Sequence, residues 1–325
     1  MKKLLSVFSL VLLLTVLAAC SSSEKEDVAK GEAKGEELKT INIGYQKGNT
    51  LHILKESGIL DEAAKEKGLE VKWELFTHGN TLMEGIYAGA IHFGHAADGP
   101  GIYAQASNKP FYYVGADNPN PEGVGIVALK NSGITKLEDL KGKKVGALKG
   151  GNHHYSTVLA LESVGLTADD VEWVYPEDAA QGRALFETGQ IDALASYDPF
   201  FASAEIETDA ITLVNGDIDG YPNRTFYFVT ETFAEGNPEL VEFILAKIDE
   251  SDKWANENRE EVIAIMSEAL GIKEEVISKQ INRRTFGATE ITDEIVATQQ
   301  KQADKYFELG LIPVEVTISE KVWTK

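Results

Sequence analysis

The chain has 325 residues, a formal net charge of −21 and 43% hydrophobic residues. A protein this acidic is a poor binder of nucleic acid or anionic lipid on general electrostatic grounds. Its single cysteine, Cys20, excludes an intramolecular disulfide framework and argues against thiol catalysis and thiolate metal sites.

The N-terminal segment has the pattern of a secretory signal. Lys2 and Lys3 precede an apolar run from Leu4 to Leu17, which is shorter than the roughly 20 residues needed to span a bilayer. The letters "LAAC" that close the run resemble a bacterial lipobox, in which the cysteine, here Cys20, is lipidated. An ordinary signal peptide with a chance cysteine is the alternative. We expect residues 1–19 to be removed and the chain to be secreted and lipid-anchored to the outer face of the cytoplasmic membrane.

The segment that follows is rich in small and charged residues and has almost no apolar content. Residues 20–39 therefore predict a flexible tether rather than a packed element. The roughly 285 residues after it are too many for one simple core, which suggests two lobes. No second apolar segment in the sequence is long enough to span a membrane.

Strand and helix signals alternate from residue 40 onward. The predicted strands are 40–48, 69–76, 91–95, 111–117, 124–130, 144–148, 171–176, 191–197, 211–216 and 223–230. Helical apolar spacing separates most of them, as in 50–60, 80–89, 155–164 and 179–189, and the segment 237–311 is dominated by helix. This βαβα alternation predicts an α/β fold with parallel-dominated sheets covered by helices.

One loop, "LKGGNHHYS", passes from strand to helix through Gly150 and Gly151. The start of a helix leaves backbone N–H groups unpaired and carries a partial positive charge, so such a loop can receive an anion. A tight turn with Asn152 as the helix cap is an equally good interpretation of the spacing alone. A nucleotide P-loop is excluded, because Lys149 precedes the glycines instead of following them.

All six histidines lie between His52 and His154, and four of them fall in loops at the carboxyl ends of predicted strands, where open α/β sheets bind ligands. Surface or satisfied core histidines are the ordinary interpretation of each one. Imidazoles gathered at a sheet edge would also suit an anion or a metal. A metal or metal-chelate receptor that uses His78, His95 and His153 therefore stays open. Adjacent His153 and His154 point about 100° apart on a helix, so at most one should face a cleft.

Catalytic signatures are absent from the sequence. It contains no G-x-S-x-G and no H-E-x-x-H motif. Asp198, which precedes Pro199, more plausibly ends a strand and forms a turn than takes part in acid–base chemistry. We expect a binding protein rather than an enzyme, with an enzyme on the same fold as the weaker alternative.

Several segments together resemble a known family. They are "IGYQKGN", "FGHAADGPGIYAQA", "LKGKKVGALKGGNHHYSTVLAL", "DAAQGRALFETGQIDALASYDPFFA" and "NRTFYFV". In this order they resemble the substrate-binding proteins of aliphatic sulfonate ABC importers, in a wider group with binding proteins for nitrate, taurine and thiamine-precursor pyrimidines. The resemblance runs from about Ile41 to Trp323.

The resemblance implies a two-lobe periplasmic-binding-protein-like fold of type II, with residues 41–124 and 220–325 in the first lobe and 125–219 in the second. The ligand would lie in a cleft between lobes that close by hinge motion. It also implies an extracytoplasmic receptor that captures a small, sulfonate-like organic anion, without a cofactor. The partners would be an ABC permease with its ATPase, and the protein would be a monomer.

The family grips its ligand with small residues and backbone amides in the loops quoted above. The corresponding ligand-binding candidates here are Gln46, Asn49, His78, Gly79, His95, Asp98, Gly151, Asn152, His153, Tyr197 and Asp198. This sequence places Gly151, Asn152 and His153 where the family commonly has serines, and His78 and His95 where it has small residues. Tyr197 replaces a frequent tryptophan. We expect Asn152 and the helix start to receive the anion and histidines to read it, which leaves open an anion that is bulkier, more highly charged or bound with a metal.

Overall fold

The computed structural model describes residues 38–324. The predicted signal, the lipidation site Cys20 and all of the tether except its last two residues lie outside this range. The strands are β1 Thr40–Tyr45, β2 Glu70–Leu75, β3 Phe93–Ala97, β4 Tyr112–Asp117, β5 Val124–Leu129, β6 Lys144–Gly146, β7 Glu172–Val174, β8 Ala193–Tyr197, β9 Ala210–Asn215, β10 Thr225–Val229 and β11 Ala288–Thr289.

Twelve α-helices accompany these strands within residues 38–324. They are α1 Thr50–Ser57, α2 Ile59–Glu66, α3 Gly79–Tyr87, α4 Asp98–Ala106, α5 Asn152–Ser163, α6 Ala179–Glu187, α7 Phe200–Glu207, α8 Glu231–Gly236, α9 Pro238–Glu257, α10 Arg259–Leu270, α11 Glu274–Asn282 and α12 Asp293–Glu308. None of the helices in this range combines the length and the apolar character that crossing a membrane requires.

The strands form two separate sheets, which confirms the predicted two-lobe α/β architecture. The first sheet has the order β11-β4-β10-β3-β1-β2, and the second has the order β7-β6-β8-β5-β9. The chain passes from the first sheet to the second between β4 and β5 and returns between β9 and β10. The sequence-predicted lobe boundaries near 125 and 219 stay a prediction, although both crossings lie close to them.

The sheets are more mixed than the predicted parallel-dominated arrangement. Among the described strands, β1 pairs in parallel with β2 and β3, and β6 pairs in parallel with β7 and β8. The strands on the far side of each crossing, β5 and β10, pair antiparallel with both of their neighbours. They are antiparallel because each enters a sheet directly from the other lobe, without the helical crossover that a parallel neighbour requires.

Glycine positions and apolar alternation explain how some of the predicted elements appear in the structure. The helix predicted over 50–60 divides into α1 and α2 because Gly58 adopts φ 71°, a left-handed conformation that ends a helix. In β1, Ile41 and Ile43 are fully buried, as the alternation predicts for a strand that packs on helices. The sequence analysis missed α7, whose apolar residues show no helical periodicity, the short helix α8 and the two-residue strand β11.

Separate apolar cores support the two sheets. Phe93 and Tyr227 belong to the core that joins the first sheet to α1 and α9, and both are fully buried. Val145 and Ala193 belong to a core that joins the second sheet to α5. Because each sheet is anchored by its own core, the loops at the strand ends are held on rigid supports.

Candidate functional site

Six strands, β1, β2, β3, β6, β7 and β8, take part in parallel pairs, and the loops that follow them converge on one cleft between the two sheets. The cleft has a volume of about 200 Å³. It is lined by Gln46, Asn49, His78, Gly79, Asn80, Ala97, Pro100, Asp117, Asn118, Asn120, Gly123, Leu148, Lys149, Gly150, Gly151, Asn152, His153, Pro176, Glu177, Tyr197, Asp198, Asn223, Thr225, Gln280 and Arg284. This is the position that strand order predicts for a ligand site, at the carboxyl ends of strands β1, β2, β3, β6, β7 and β8.

Nine of the eleven candidates chosen from the sequence line this cleft. They are Gln46, Asn49, His78, Gly79, Gly151, Asn152, His153, Tyr197 and Asp198. Helix α5 begins at Asn152, three residues earlier than predicted, and Gly151 occupies the N-cap position. Asn152 is therefore the first residue of the helix rather than its cap, and its Nδ2 donates to Oδ1 of Asn223 at 2.8 Å. That bond joins the start of α5 to the segment that leads into β10.

Two predicted ligand contacts, His95 and Asp98, lie behind the cleft instead of on its surface. Nε2 of His95 accepts the Gln46 backbone N–H at 3.3 Å, and the side chain is fully buried on β3, which lies between β1 and β10 in the sheet. Asp98 is 2% exposed, and its carboxylate accepts hydrogen bonds from Tyr221 and from Gln302. Both side chains turn inward because they satisfy polar groups of the surrounding elements, which their loop positions alone do not indicate.

All six histidines act as hydrogen-bond acceptors for the backbone, and two of them, His78 and His153, also line the cleft. Each of the six accepts a backbone N–H through a ring nitrogen: His52 from Gly48, His78 from Thr81, His92 from Asn42, His95 from Gln46, His153 from Leu148 and His154 from Gly150. Burial lowers the pKa of His153 and of His95 to about 3, and that of His52 and His154 to about 4. These four imidazoles are therefore neutral at pH 7.

His153 and His154 point to different surroundings, as predicted for adjacent helical residues. The His153 ring lies 5.1 Å from the Tyr197 ring at the cleft wall, and its Nδ1 is 3.1 Å from Oδ1 of Asn152. Because Nε2 accepts from Leu148, the Nδ1 atom carries the proton and donates to Asn152. The His154 ring packs edge-on against Trp173, away from the cleft. His153 thus fixes the orientation of Asn152 rather than presenting a free nitrogen to a ligand.

The three histidines named for the metal alternative are not gathered into one ligand set among the described residues. Within residues 38–324, no group of three or more His, Cys, Asp or Glu side chains could hold a metal ion. His78 and His153 line the cleft, but His95 lies behind it, and one ring nitrogen of each is already used by a backbone N–H.

The charged groups at the cleft carry both signs. Arg284, 8% exposed, pairs with Asp117 at 3.1 Å and donates to Thr50 at 3.2 Å. Lys149 extends from the loop before α5, and its Nζ lies 5.7 Å from the Tyr175 ring. Burial raises the pKa of Asp198 to about 7, although the Arg283 guanidinium 3.3 Å away acts against the shift.

The lining residues that the sequence analysis missed include Arg284 and five amides, Asn80, Asn118, Asn120, Asn223 and Gln280. Side-chain amides around the cleft come from Gln46, Asn49, Asn80, Asn118, Asn120, Asn152, Asn223 and Gln280. The signal for two of them was present, since "DNPNP" follows β4 at the carboxyl end of a strand like the other loops. Neutral amides offer N–H donors to an anion without the desolvation cost of a buried charge.

The chain is similar to one protein family and to proteins named for the binding of sulfonates. The family described as NMT1/THI5 like matches residues 65–262. A protein of Escherichia coli (strain K12), named as an aliphatic sulfonates-binding protein, is 32% identical over 87% of this chain and 88% of its own length. A protein of Bacillus subtilis (strain 168) with the same name is 30% identical over 99% of this chain and 95% of its own length.

Solved structures with a similar fold carry related names. The alkanesulfonate-binding protein of Xanthomonas axonopodis pv. citri, solved with bound MOPS, superposes with a TM-score of 0.83 and 26% identity, covering 89% of this chain and 99% of that chain. The periplasmic aliphatic sulphonate binding protein of Escherichia coli superposes with a TM-score of 0.81 and 31% identity, over 89% of this chain and 93% of that chain.

Proposed function

This chain belongs to the NMT1/THI5-like family, together with the proteins named aliphatic sulfonate-binding, and on that basis we propose that it is the extracytoplasmic solute receptor of an ABC importer. It captures a small organic anion of the sulfonate class between its lobes and delivers it to a permease. It binds without turnover, as the names of its relatives describe binding proteins. Lipidation at Cys20 would hold the receptor near its permease.

The observation that carries the proposal is the start of α5 facing a ring of amides. The N-terminus of a twelve-residue helix opens into the cleft at Gly151 and Asn152. Its N–H groups and its dipole favour an anion there. Gly150, at φ 70°, turns the backbone sharply before the helix and lets the chain approach a ligand closely. Amide side chains from both lobes complete the set of donors, so a sulfonate would be bound largely by uncharged N–H donors.

Contacts across the cleft describe how the lobes would close on the anion. The hydroxyl of Tyr306, on α12, donates to the carbonyl oxygen of Gly150 at 2.9 Å. Asn152 donates to Asn223 at 2.8 Å on the neighbouring side. Both contacts involve the loop before α5 or its first residue. Closure and reception of the anion therefore use the same segment, which links ligand binding to the position of the lobes.

Ligand-dependent stabilisation tests the binding step. A ligand that binds only the folded protein raises its stability by about 2.7 kcal/mol at a concentration 100 times Kd. Thermal unfolding should shift upward with ethanesulfonate and taurine and should not shift with choline or with an uncharged sugar. Stabilisation by the neutral or cationic solutes alone would contradict the proposal.

A matched pair of variants locates the site. Asn152→Ala removes a cleft amide and should weaken ethanesulfonate binding by roughly tenfold, the loss of about one charge-assisted hydrogen bond. Asn282→Ala is the control, because Asn282 is exposed and its Nδ2 donates only within its own helix, to Ser278. Calorimetric titration of both variants measures the difference.

Delivery is tested in cells, where Cys20→Ala should release the receptor from the membrane and slow sulfonate uptake.

A further inference from the structure

A second space opens beside the cleft. A groove of about 250 Å³ lies between α3 and α4, and Asn80 and Pro100 line both the groove and the cleft. We propose that this groove is a tail subsite, and that the ligand is a sulfonate-class anion whose apolar tail ends in an aromatic ring. The inference rests on the proposed function, since the head of the same ligand would occupy the cleft.

Helical spacing on both walls gives the groove its length. Its residues recur at intervals of three and four along each helix: Asn80, Met83, Glu84 and Tyr87 on α3, and Pro100, Tyr103, Ala104 and Ser107 at α4. Each set spans seven steps along its helix, and at the helical rise per residue this gives a length on the order of 10 Å. The groove starts at the cleft, where both helices begin, and continues to their C-terminal ends. A ligand longer than the cleft would pass Asn80 and Pro100, the two residues that both spaces share, and lie between two rigid helices.

The side chains along this path favour an aromatic tail. The floor contains Met83 and Ala104, which are 1% and 4% exposed. Half-buried Tyr87 and Tyr103 also line the groove. Aromatic rings gain free energy beyond simple burial when they pack against one another. The groove thus offers a ring more than it offers an alkyl chain of the same length.

Polar groups mark two places on the groove. The Tyr103 hydroxyl is buried against the loop at Gly150 and has no hydrogen-bond partner among the described residues. At the far end, Nζ of Lys109 lies 4.9 Å from the centre of the Tyr87 ring. A ligand ring placed beside Tyr87 would also lie near this cation, whose attraction to π-electrons adds to the preference for an aromatic group.

The groove also contacts the lobe that closes. A side-chain carbon added at Gly150 would overlap with the Tyr103 ring, so the loop before α5 packs directly on a groove residue. Closure of the lobes around the head of the ligand would then change the packing at the tail subsite. This contact explains how tail identity could affect the closed state rather than merely adding apolar contact to the open one.

Three probes separate the tail subsite from the head site. Calorimetric titrations should use ethanesulfonate, octanesulfonate and phenylbutanesulfonate. We expect phenylbutanesulfonate to bind at least roughly tenfold more tightly than ethanesulfonate, since each buried methylene alone is worth about fourfold, and more tightly than octanesulfonate. Equal affinity for phenylbutanesulfonate and ethanesulfonate would overturn the tail subsite and leave the proposed function intact. Equal affinity for the two long probes would overturn the aromatic assignment. If none of the three binds, the proposed function fails and the subsite fails with it.

A filled groove provides the second measurement. Glu84 is exposed at the groove, so Glu84→Trp should occupy the tail path with little effect on the core. In this variant phenylbutanesulfonate should lose its advantage over ethanesulfonate. Glu66→Trp places the same residue at an exposed position of α2, outside the groove, and should keep the advantage. An advantage that survives in Glu84→Trp would show that the tail lies elsewhere and would overturn the proposal.

Discussion

The α-carbon of Gly99 faces the carbonyl oxygen of Gly150 across the two lobes so closely that a side-chain carbon at Gly99 would overlap with that oxygen. Gly99 lies in the first turn of α4, and Gly150 lies in the loop before α5. Tyr306 hydrogen-bonds to the same oxygen at 2.9 Å. The lobes therefore meet at a point where only a hydrogen atom fits, beside the proposed anion site.

Gly99→Ala should oppose closure. The added methyl group meets backbone and the Tyr306 hydroxyl, and overpacking of this kind costs about 1–3 kcal/mol. Because apparent affinity falls with the population of the closed state, ethanesulfonate should bind roughly ten times more weakly. Titration calorimetry measures the affinity, and small-angle scattering at saturating ligand should show a larger radius than for the original protein.

Gly236→Ala is the control for this change. A carbon added at Gly236 meets nothing within 4 Å, so the same substitution there should change neither affinity nor radius. Unchanged affinity in Gly99→Ala would mean that the contact with Gly150 does not limit closure.

Ion pairs between α7 and the α11 segment form a second link between the lobes. Glu205 accepts from Arg283 at 2.7 Å and lies 3.1 Å from Lys279. The side chains of Glu205 and Arg283 are 11% and 9% exposed, so their pair is only weakly screened by solvent. Glu205→Gln should lower the free energy of unfolding by about 1–3 kcal/mol, the range for a charge-assisted hydrogen bond. It should also speed ligand release, because the closed state loses a contact.

Asp209→Asn supplies the matched control. Asp209 pairs with Lys130, but the two side chains are 78% and 58% exposed, and exposed pairs contribute about 0–1 kcal/mol. Urea unfolding and stopped-flow release of ligand compare the two variants. A Glu205→Gln protein as stable as Asp209→Asn would show that the α7–α11 ion pairs do not hold the lobes together.

The buried histidines predict a loss of stability in acid. Burial lowers the folded-state pKa of His153 to about 3, whereas the unfolded chain titrates near 6.5. The unfolded state therefore takes up a proton first as the pH falls. The contribution of His153 is complete above pH 6.5 and declines toward pH 3, by about 1.4 kcal/mol per pH unit once the unfolded chain is protonated. The Leu148 backbone N–H loses its acceptor when the ring is finally protonated.

His153→Gln isolates this effect. Two buried carboxyls act in the opposite direction, because burial raises the pKa of Asp98 to about 6 and of Asp198 to about 7, so folding favours their protonated forms. The whole stability curve mixes both signs, but the difference between the original protein and His153→Gln contains mainly the histidine. That difference should be flat between pH 7 and pH 8 and should shrink from pH 6 to pH 5. A difference independent of pH would contradict the assigned burial effect.

Local patterns predicted most of the fold and much of the cleft, for identifiable reasons. Alternating apolar residues and punctuating glycines mark the strands and helices. The rule that ligands meet the carboxyl ends of strands, together with the family resemblance, led to the nine candidates that line the cleft. The sequence analysis missed Arg284 because its position at the cleft depends on an ion pair with Asp117, which lies 167 positions earlier. Asp98 was assigned to the ligand on the family resemblance, but its burial depends on Tyr221 and Gln302, both more than a hundred positions away. Side-chain direction set by distant partners leaves no local pattern to detect.

Lys149 should affect the rate of capture more than its strength. It is exposed, and it extends from the loop that leads into α5 at the rim of the cleft. Charges at a rim steer an anion toward its site and act mainly on the association rate, whereas buried groups control dissociation. In a chain with a formal charge of −21, a cation at the cleft entrance counters the repulsion that an anionic ligand meets.

Lys149→Ala should therefore slow ethanesulfonate association several-fold at low salt, with little change in dissociation. The difference should vanish near 1 M salt, where screening acts within about 3 Å. Lys65→Ala removes an exposed charge from α2, outside the cleft lining, and should leave both rates unchanged. A slower association that persists at high salt would indicate a direct contact with the ligand instead of steering.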